Sequence, residues 1–147
     1  MATRSGSVDP GLLLWLQRHE GVTADDMAEA LEHESGLLGL AGTGDMRELL
    51  AREDDEARLA LAVYIHRARA GVAAMVASLG GLDALVFTGG VGERSVRVRE
   101  LVCEGLEHLG VGTPGSQVEV LTVRAREDLE IARQVRRLLG AQGFEVL

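Results

Sequence analysis

The segment Asp83-Ala-Leu-Val-Phe-Thr88 is a continuous apolar run of strand length, followed directly by Gly89-Gly-Val-Gly92 and then by a helical period. An unbroken apolar run of this length reads as a central strand of a parallel sheet, covered on both faces. The helix leaving the glycines starts at Ser95 and places Val98, Leu101, Val102, Leu106 and Leu109 on one face, with Gly110 as its predicted C-terminal cap. A second strand is predicted over Val118–Val123. A second amphipathic helix is predicted over Arg126–Leu139, with Ile131, Val135, Leu138 and Leu139 inward and Gly140 past its end. Strand, helix and strand make an α/β unit whose strands are parallel and adjacent, joined by a right-handed crossover. Phe144-Glu-Val-Leu147 adds a short terminal strand.

The N-terminal half reads as helices. Asp9-Pro10 is an N-cap followed by proline at the first helical position, opening a helix through Leu12–His19 that Gly21 ends. Thr23 with Asp26 three residues on is a capping pattern for a helix over 24–33. Ser35-Gly-Leu-Leu-Gly-Leu-Ala-Gly-Thr-Gly44 mixes leucines with glycines and is predicted to turn sharply while partly buried. Asp45 opens a short helix, and Asp54 or Asp55 caps a long one over 55–79. The long helix is apolar nearly all round, with a thin polar stripe of Asp55, Arg58, His66 and Arg69, and is expected to be buried on both sides. Two firm strands cannot cover so many apolar helices, and both would be sheet edges. The sheet therefore reads as incomplete.

Composition narrows the function. The 147 residues carry 15 basic against 23 acidic side chains, a net charge of −8, which argues against a duplex nucleic-acid surface. Every basic side chain is arginine, so no lysine nucleophile or Walker lysine is available. The lone Cys103 excludes an internal disulfide, and His19, His33, His66 and His108 show no ligand spacing. No unbroken apolar run approaches the roughly 20 residues of a bilayer crossing. The expected setting is cytoplasmic, without a membrane partner.

The strand–glycine–helix at 83–99 has the geometry of a phosphate site, because backbone N–H groups at a helix start attract anions. Glycine turns between strand and helix also occur without any ligand. Arg4 is a solvated arginine or an anion clamp. Glu127, just after a strand, is a first-turn glutamate favoured by the helix dipole or a Mg²⁺ ligand at the carboxyl end of a parallel strand. Asp45 and Arg47 alone read as a cap and a surface charge.

Four stretches in order resemble the acetate kinase family. Thr3-Arg-Ser-Gly-Ser-Val-Asp-Pro10 is similar to its "TRSGDIDP" block, and Ser35-Gly-Leu-Leu-Gly39 with Asp45-Met-Arg47 to "SGLLG…DMR". Asp83–Ser95 is similar to "DA(I/L)VFTAGIGENS", and Glu127-Asp-Leu-Glu-Ile-Ala132 to "NEELMIA". The resemblance implies an actin-like ATPase (ribonuclease H-like) fold, of which this α/β chain would be part of the C-terminal lobe, lacking its opening antiparallel strands. It implies reversible phosphoryl transfer from ATP to acetate, giving acetyl phosphate and ADP, with Mg²⁺ and a homodimeric assembly. Carried over by motif, Arg4 would stabilise the transferring phosphoryl group. Asp45, Met46 and Arg47 would contact adenosine, Gly90, Val91, Gly92, Glu93 and Arg94 would form the nucleotide loop, and Glu127 would associate with magnesium.

The chain departs from the family at several points. Arg94 stands where Asn is usual, Gly89 where Ala is, and Ala125-Arg126 where Thr-Asn is; Gly112–Gln117 is shorter than its counterpart. The resemblance reaches only the family's last third or so, without the N-terminal lobe, its catalytic histidine and aspartate regions or the acetate pocket. The expectation is a truncated or split product over 1–147, inactive alone, that pairs with a separate N-terminal half. The alternatives are a non-catalytic remnant, a nucleotide-binding or dimerisation module, and a propionate or butyrate kinase fragment.

Overall fold

The computed structural model describes residues 1–141, so the expected strand at 144–147 lies outside the described residues. Helices open the chain, and short polar side chains start most of them. Asp9 accepts from the Gly11 amide at the head of α1 (Pro10–Trp15), which runs on into a π-helical turn, Leu16–Glu20. Thr23 accepts from the Asp26 amide to start α2 (Ala24–Glu32). The glycine-rich stretch, expected to be a sharp turn, forms a helix instead, α3 (Gly36–Ala41). Asp45 caps α4 (Met46–Ala51), and Asp54 caps α5 (Asp55–Leu79). Arg52 grips the Asp54 carboxylate at 2.8 Å and donates to the Ala41 carbonyl at 2.6 Å, so one guanidinium ties three helices together. That grip, with the Ala57 amide, holds the Asp54 carboxyl well below the usual carboxylate range.

The C-terminal half is the α/β unit. β1 (Ala84–Phe87) pairs with β2 (Glu119–Thr122) in parallel, Ala84 opposite Glu119 and Phe87 opposite Thr122. Between them come α6 (Gly89–Arg94), α7 (Val96–Cys103) and a 3₁₀ turn, Glu107–Leu109; α8 (Glu127–Ala141) follows β2. The predicted helix to Leu109 ends early because the Arg69 guanidinium of α5 lies over Gly105 and takes the carbonyls of Leu101 and Val102. Those acceptors are satisfied from outside the helix. Gly140 lies inside α8 and not past its end.

One apolar core runs from Leu37, Met46 and Leu49 through Ala60 and Ile65 of α5 to Val98, Val102 and Leu106. It covers one side of α5 only. Leu59 is 55 % exposed and Leu79 76 %, which overturns the expectation of a helix buried on both sides. Ile131, Val135, Leu138 and Leu139 of α8 are likewise exposed and not inward. The periodicity marked a face correctly, but no described element covers it. Val86, Val120 and Leu121 are exposed on a sheet of two strands, both of them edges. By length and composition α5 could cross a membrane, although Arg67 and Arg69 break any unbroken apolar run. Here it packs on α3, α4 and α7.

The N-terminal strap is held against α2 and α3. Thr3 donates to the Glu32 carbonyl, the Ser5 amide to the Leu31 carbonyl, and the Leu37 and Leu38 amides to the carbonyls of Met1 and Ala2. Gly36 makes this approach possible. Its φ is +62°, and a Cβ there would collide with the Met1 carbonyl and sit 3.0 Å from that of Arg4. Gly42 has a similar φ, +72°, with open space around it. Both substitutions to alanine incur the left-handed cost of about 1–2 kcal/mol. Gly36→Ala should lose at least about 1 kcal/mol more than Gly42→Ala in urea unfolding, because backbone must move. Equal losses would show that the strap does not depend on Gly36.

Candidate functional site

Parallel strands end on the same side, and open α/β sheets place ligands outside those carboxyl ends. After β1 the chain enters α6 through Gly89, whose φ of +72° lies in the left-handed region that favours glycine. The resemblance expects alanine at this position, and glycine removes the Cβ penalty there. The predicted nucleotide loop is thus a single helical turn. Its first amide, from Gly89, donates to Glu93 Oε1 at 2.9 Å, and the Arg99 guanidinium takes the carbonyls of Gly92 and Glu93 at 2.8 and 2.9 Å. Arg99 carries no role in the sequence motifs, and its contacts form only once α7 packs against α6.

Two clefts flank this turn. One, of about 780 Å³, is lined by Asp45, Met46, Arg47 and Leu50 on one wall and by Gly90, Val91 and Arg94 on the other. It joins two motifs far apart in the sequence. The second, of about 290 Å³, lies between Gly90, Glu93 and Arg94 and the start of α8, where Arg124, Glu127 and Asp128 line it. Gly90 and Arg94 belong to both. Arg4 is elsewhere: it lines a third cleft of about 380 Å³ with Arg67, Glu34 and Leu40. The described residues therefore bring together Asp45, Arg47, Gly90, Arg94 and Glu127 but not Arg4.

Individual side chains refine the sequence picture. Met46 is buried in the core, so it can offer a ligand little beyond its backbone. Gly92 lines neither of the two flanking clefts, and a Cβ there would rest 3.5 Å from Phe87, ordinary contact. An alanine Cβ at Gly92 would therefore meet the strand and not a phosphate in either cleft. At Gly90 a Cβ meets open space.

A magnesium ion takes few protein carboxylates and fills its octahedron with phosphate oxygens and water. No cluster of three His, Cys, Asp or Glu able to hold a metal occurs among the described residues. In the smaller cleft Asp128 is engaged by Arg126 at 3.2 Å and Glu93 by backbone amides, which leaves the exposed Glu127 carboxylate open to a cation. One carboxylate beside the cationic Arg94 and Arg124 fits a metal that arrives with phosphate, not one bound alone.

Asp45 accepts from the Arg47 amide at 2.8 Å and from its guanidinium at 2.5 Å. These bonds bring the Asp45 carboxyl down from 3.8 to about 2 and raise Arg47 further. Folding thus favours the charged carboxylate. Its contribution to the cap is whole above the unfolded value near 3.8 and is lost as pH falls through about 2. Carboxyl NMR should show Asp45 titrating near pH 2, and Arg47→Ala should move the midpoint up toward 3.8. A midpoint already near the ordinary value would mean that the pair does not form.

Comparison with known proteins shows the family to which the fold belongs. Residues 1–133 match the Acetokinase family. The acetate kinase of Cyanothece sp. is 41 % identical, with 95 % of this chain covered and 39 % of the relative. The crystal structure of Porphyromonas gingivalis acetate kinase superposes with a TM-score of 0.84 at 36 % identity, covering 95 % of this chain and 40 % of that one. A propionate kinase from Francisella tularensis superposes at 0.83 with 32 % identity, over 91 % of this chain and 39 % of that one. The chain spans about two-fifths of the length of the relatives it matches. The α/β unit with its paired parallel strands is thus the architecture of part of these kinases, and the chain belongs to the acetokinase family.

Proposed function

We propose that this chain forms the nucleotide side of a carboxylate phosphotransferase that moves the ATP γ-phosphoryl group to acetate. The observation that carries the reading is the shared cleft between Asp45–Arg47 and Gly90–Arg94, with Glu127 across the same turn. In this reading the nucleoside lies against Asp45–Arg47, with Met46 contributing backbone. The phosphates run along Gly90 and Arg94. Arg94, where the family has Asn, meets them with a charged planar guanidinium in place of a neutral amide. Glu127 would hold Mg²⁺, which would supply positive charge beside the phosphate oxygens. An acetate oxygen forms a bond to the γ-phosphorus as the bond to the ADP oxygen breaks. Such a step relies on positioning and electrostatics, not on a covalent nucleophile.

Arg4 would stabilise the transferring group, yet it lines a separate cleft. Bringing Arg4 and acetate to the nucleotide therefore requires contacts from beyond the described residues. In this reading they come from a second lobe on a separate chain or from a homodimer, and the exposed apolar faces of α5 and α8 are the surfaces available for them. Without that positioning the barrier rises on the order of 7–11 kcal/mol. The superposition on a propionate kinase supports the same chemistry on a neighbouring carboxylic acid. A binding module without turnover is the second reading, favoured by the place of Arg4 in a separate cleft.

Calorimetry with MgADP tests the proposal. The chain should bind it, Gly90→Val should weaken binding by about tenfold or more by filling both clefts, and Gly92→Ala should leave it within about twofold. Acetate-dependent ADP formation should stay at background for the chain alone and appear when the complementary part of a relative is added. No ADP binding, or equal weakening by both substitutions, would contradict the assignment of the cleft. Full turnover by the chain alone would contradict its dependence on a second lobe.

A further inference from the structure

We infer that Glu93 is a positioning residue, a carboxylate clasp that sets the nucleotide turn α6 against the Glu127 end of α8, and not a ligand of the nucleotide. The inference rests on the nucleotide reading of the cleft. The last ladder bond between the strands runs from the Val123 amide to the Phe87 carbonyl at 2.9 Å. Beyond it no backbone bond joins the two outgoing segments among the described residues. Glu93 Oε1 supplies the link, accepting from the Gly89 amide at 2.9 Å on one segment and from the Ala125 amide at 2.7 Å on the other. The Arg99 guanidinium holds the Gly92 and Glu93 carbonyls, so the backbone that carries the clasp is itself fixed.

The consequence is geometric. Gly90 and Arg94 lie on the clasped turn and line both clefts, while Glu127 lies two residues past the clasped Ala125 amide. Beyond the paired strands, the separation between the phosphate path and the metal carboxylate is therefore fixed through one oxygen atom. A nucleotide ligand would use its charge on the ligand. A clasp needs the reach of a glutamate and an acceptor oxygen, and glutamine has both. Aspartate keeps the charge and falls one methylene short.

The test uses Glu93→Gln, Glu93→Asp and Glu93→Ala in the full chain with two readouts. Amide hydrogen exchange at Gly89 and Ala125 reports the clasp without any ligand. ADP binding with and without Mg²⁺ reports the alignment, as the factor by which Mg²⁺ tightens binding. Glu93→Gln should keep both amides protected and the Mg²⁺ factor within about twofold of the unaltered chain. Glu93→Asp and Glu93→Ala should speed both amides together by about tenfold and remove most of the Mg²⁺ factor, while ADP binding without metal changes little. Should Glu93→Ala fail to fold, the ordering of Gln and Asp still decides. Aspartate behaving as the unaltered chain and glutamine as the damaged one would overturn the clasp in favour of a charge role. Unchanged amide rates in Glu93→Asp and Glu93→Ala would overturn it as well. If the unaltered chain binds no ADP, the nucleotide reading fails and this role for Glu93 fails with it; if it binds ADP and only the variant ordering is wrong, the clasp alone fails.

Discussion

Parallel pairing of Ala84–Phe87 with Glu119–Thr122 sets the spacing on which the site depends. Parallel strands point their carboxyl ends the same way, so the turns that leave them are side by side without further design. One of those turns is the short helix Gly89–Arg94, and the other opens the helix that Glu127 begins. The remaining wall, Asp45–Arg47, is brought up by the core. Met46 and Leu49 share a buried cluster with Val98 and Val102 across the long helix, so the cap at Asp45 is anchored from beneath. The polar groups at the rim are held by side chains that meet backbone atoms: Arg52 on Ala41, Arg69 on Leu101 and Val102, Arg99 on Gly92 and Glu93. In a chain without lysine, arginine serves as a carbonyl cap between elements, a use its planar, many-donor fork suits.

The packing is one-sided. Apolar side chains of the long helix, the sheet and the last helix face outward, Leu79 and Leu138 among them at 76 % and 66 % exposure. Exposed apolar surface of this kind marks an interface or an association hazard, and unpaired strand edges add to it. The net charge of −8 favours solubility but cannot replace burial. The proposed second lobe or second copy would cover these faces, and stability would then depend on that contact.

Much of the fold was legible because its signals are local. Asp9, Thr23, Asp45 and Asp54 each cap the helix their type and position predict, since an oxygen two or three residues before a free amide needs no tertiary help. The two strands and their parallel order followed from run length and the helix between them. What failed depended on distant partners. The early end of the helix at Cys103 requires Arg69, more than thirty positions away, and no pattern within 95–110 announces it. The inward face assigned to Ile131, Val135, Leu138 and Leu139 was a true face with nothing set against it. At the site, resemblance supplied Arg4 and Glu127, which spacing alone left open. Geometry then separated Gly90, which lines both clefts, from Gly92, which rests on Phe87. The double acceptor role of Glu93 had no sequence signal, because the Ala125 amide reaches it only after the strands have paired.

The central claim is that one nucleotide contacts two segments that only the fold brings together. Amide chemical-shift mapping of the full chain on addition of MgADP tests it most directly. The account predicts that amides of Asp45–Arg47 and of Gly89–Arg94 shift together along one binding curve, with those at the start of the last helix following only when Mg²⁺ is present. Shifts confined to one of the two segments, or centred on the separate cleft around Arg4 and Arg67, would contradict it.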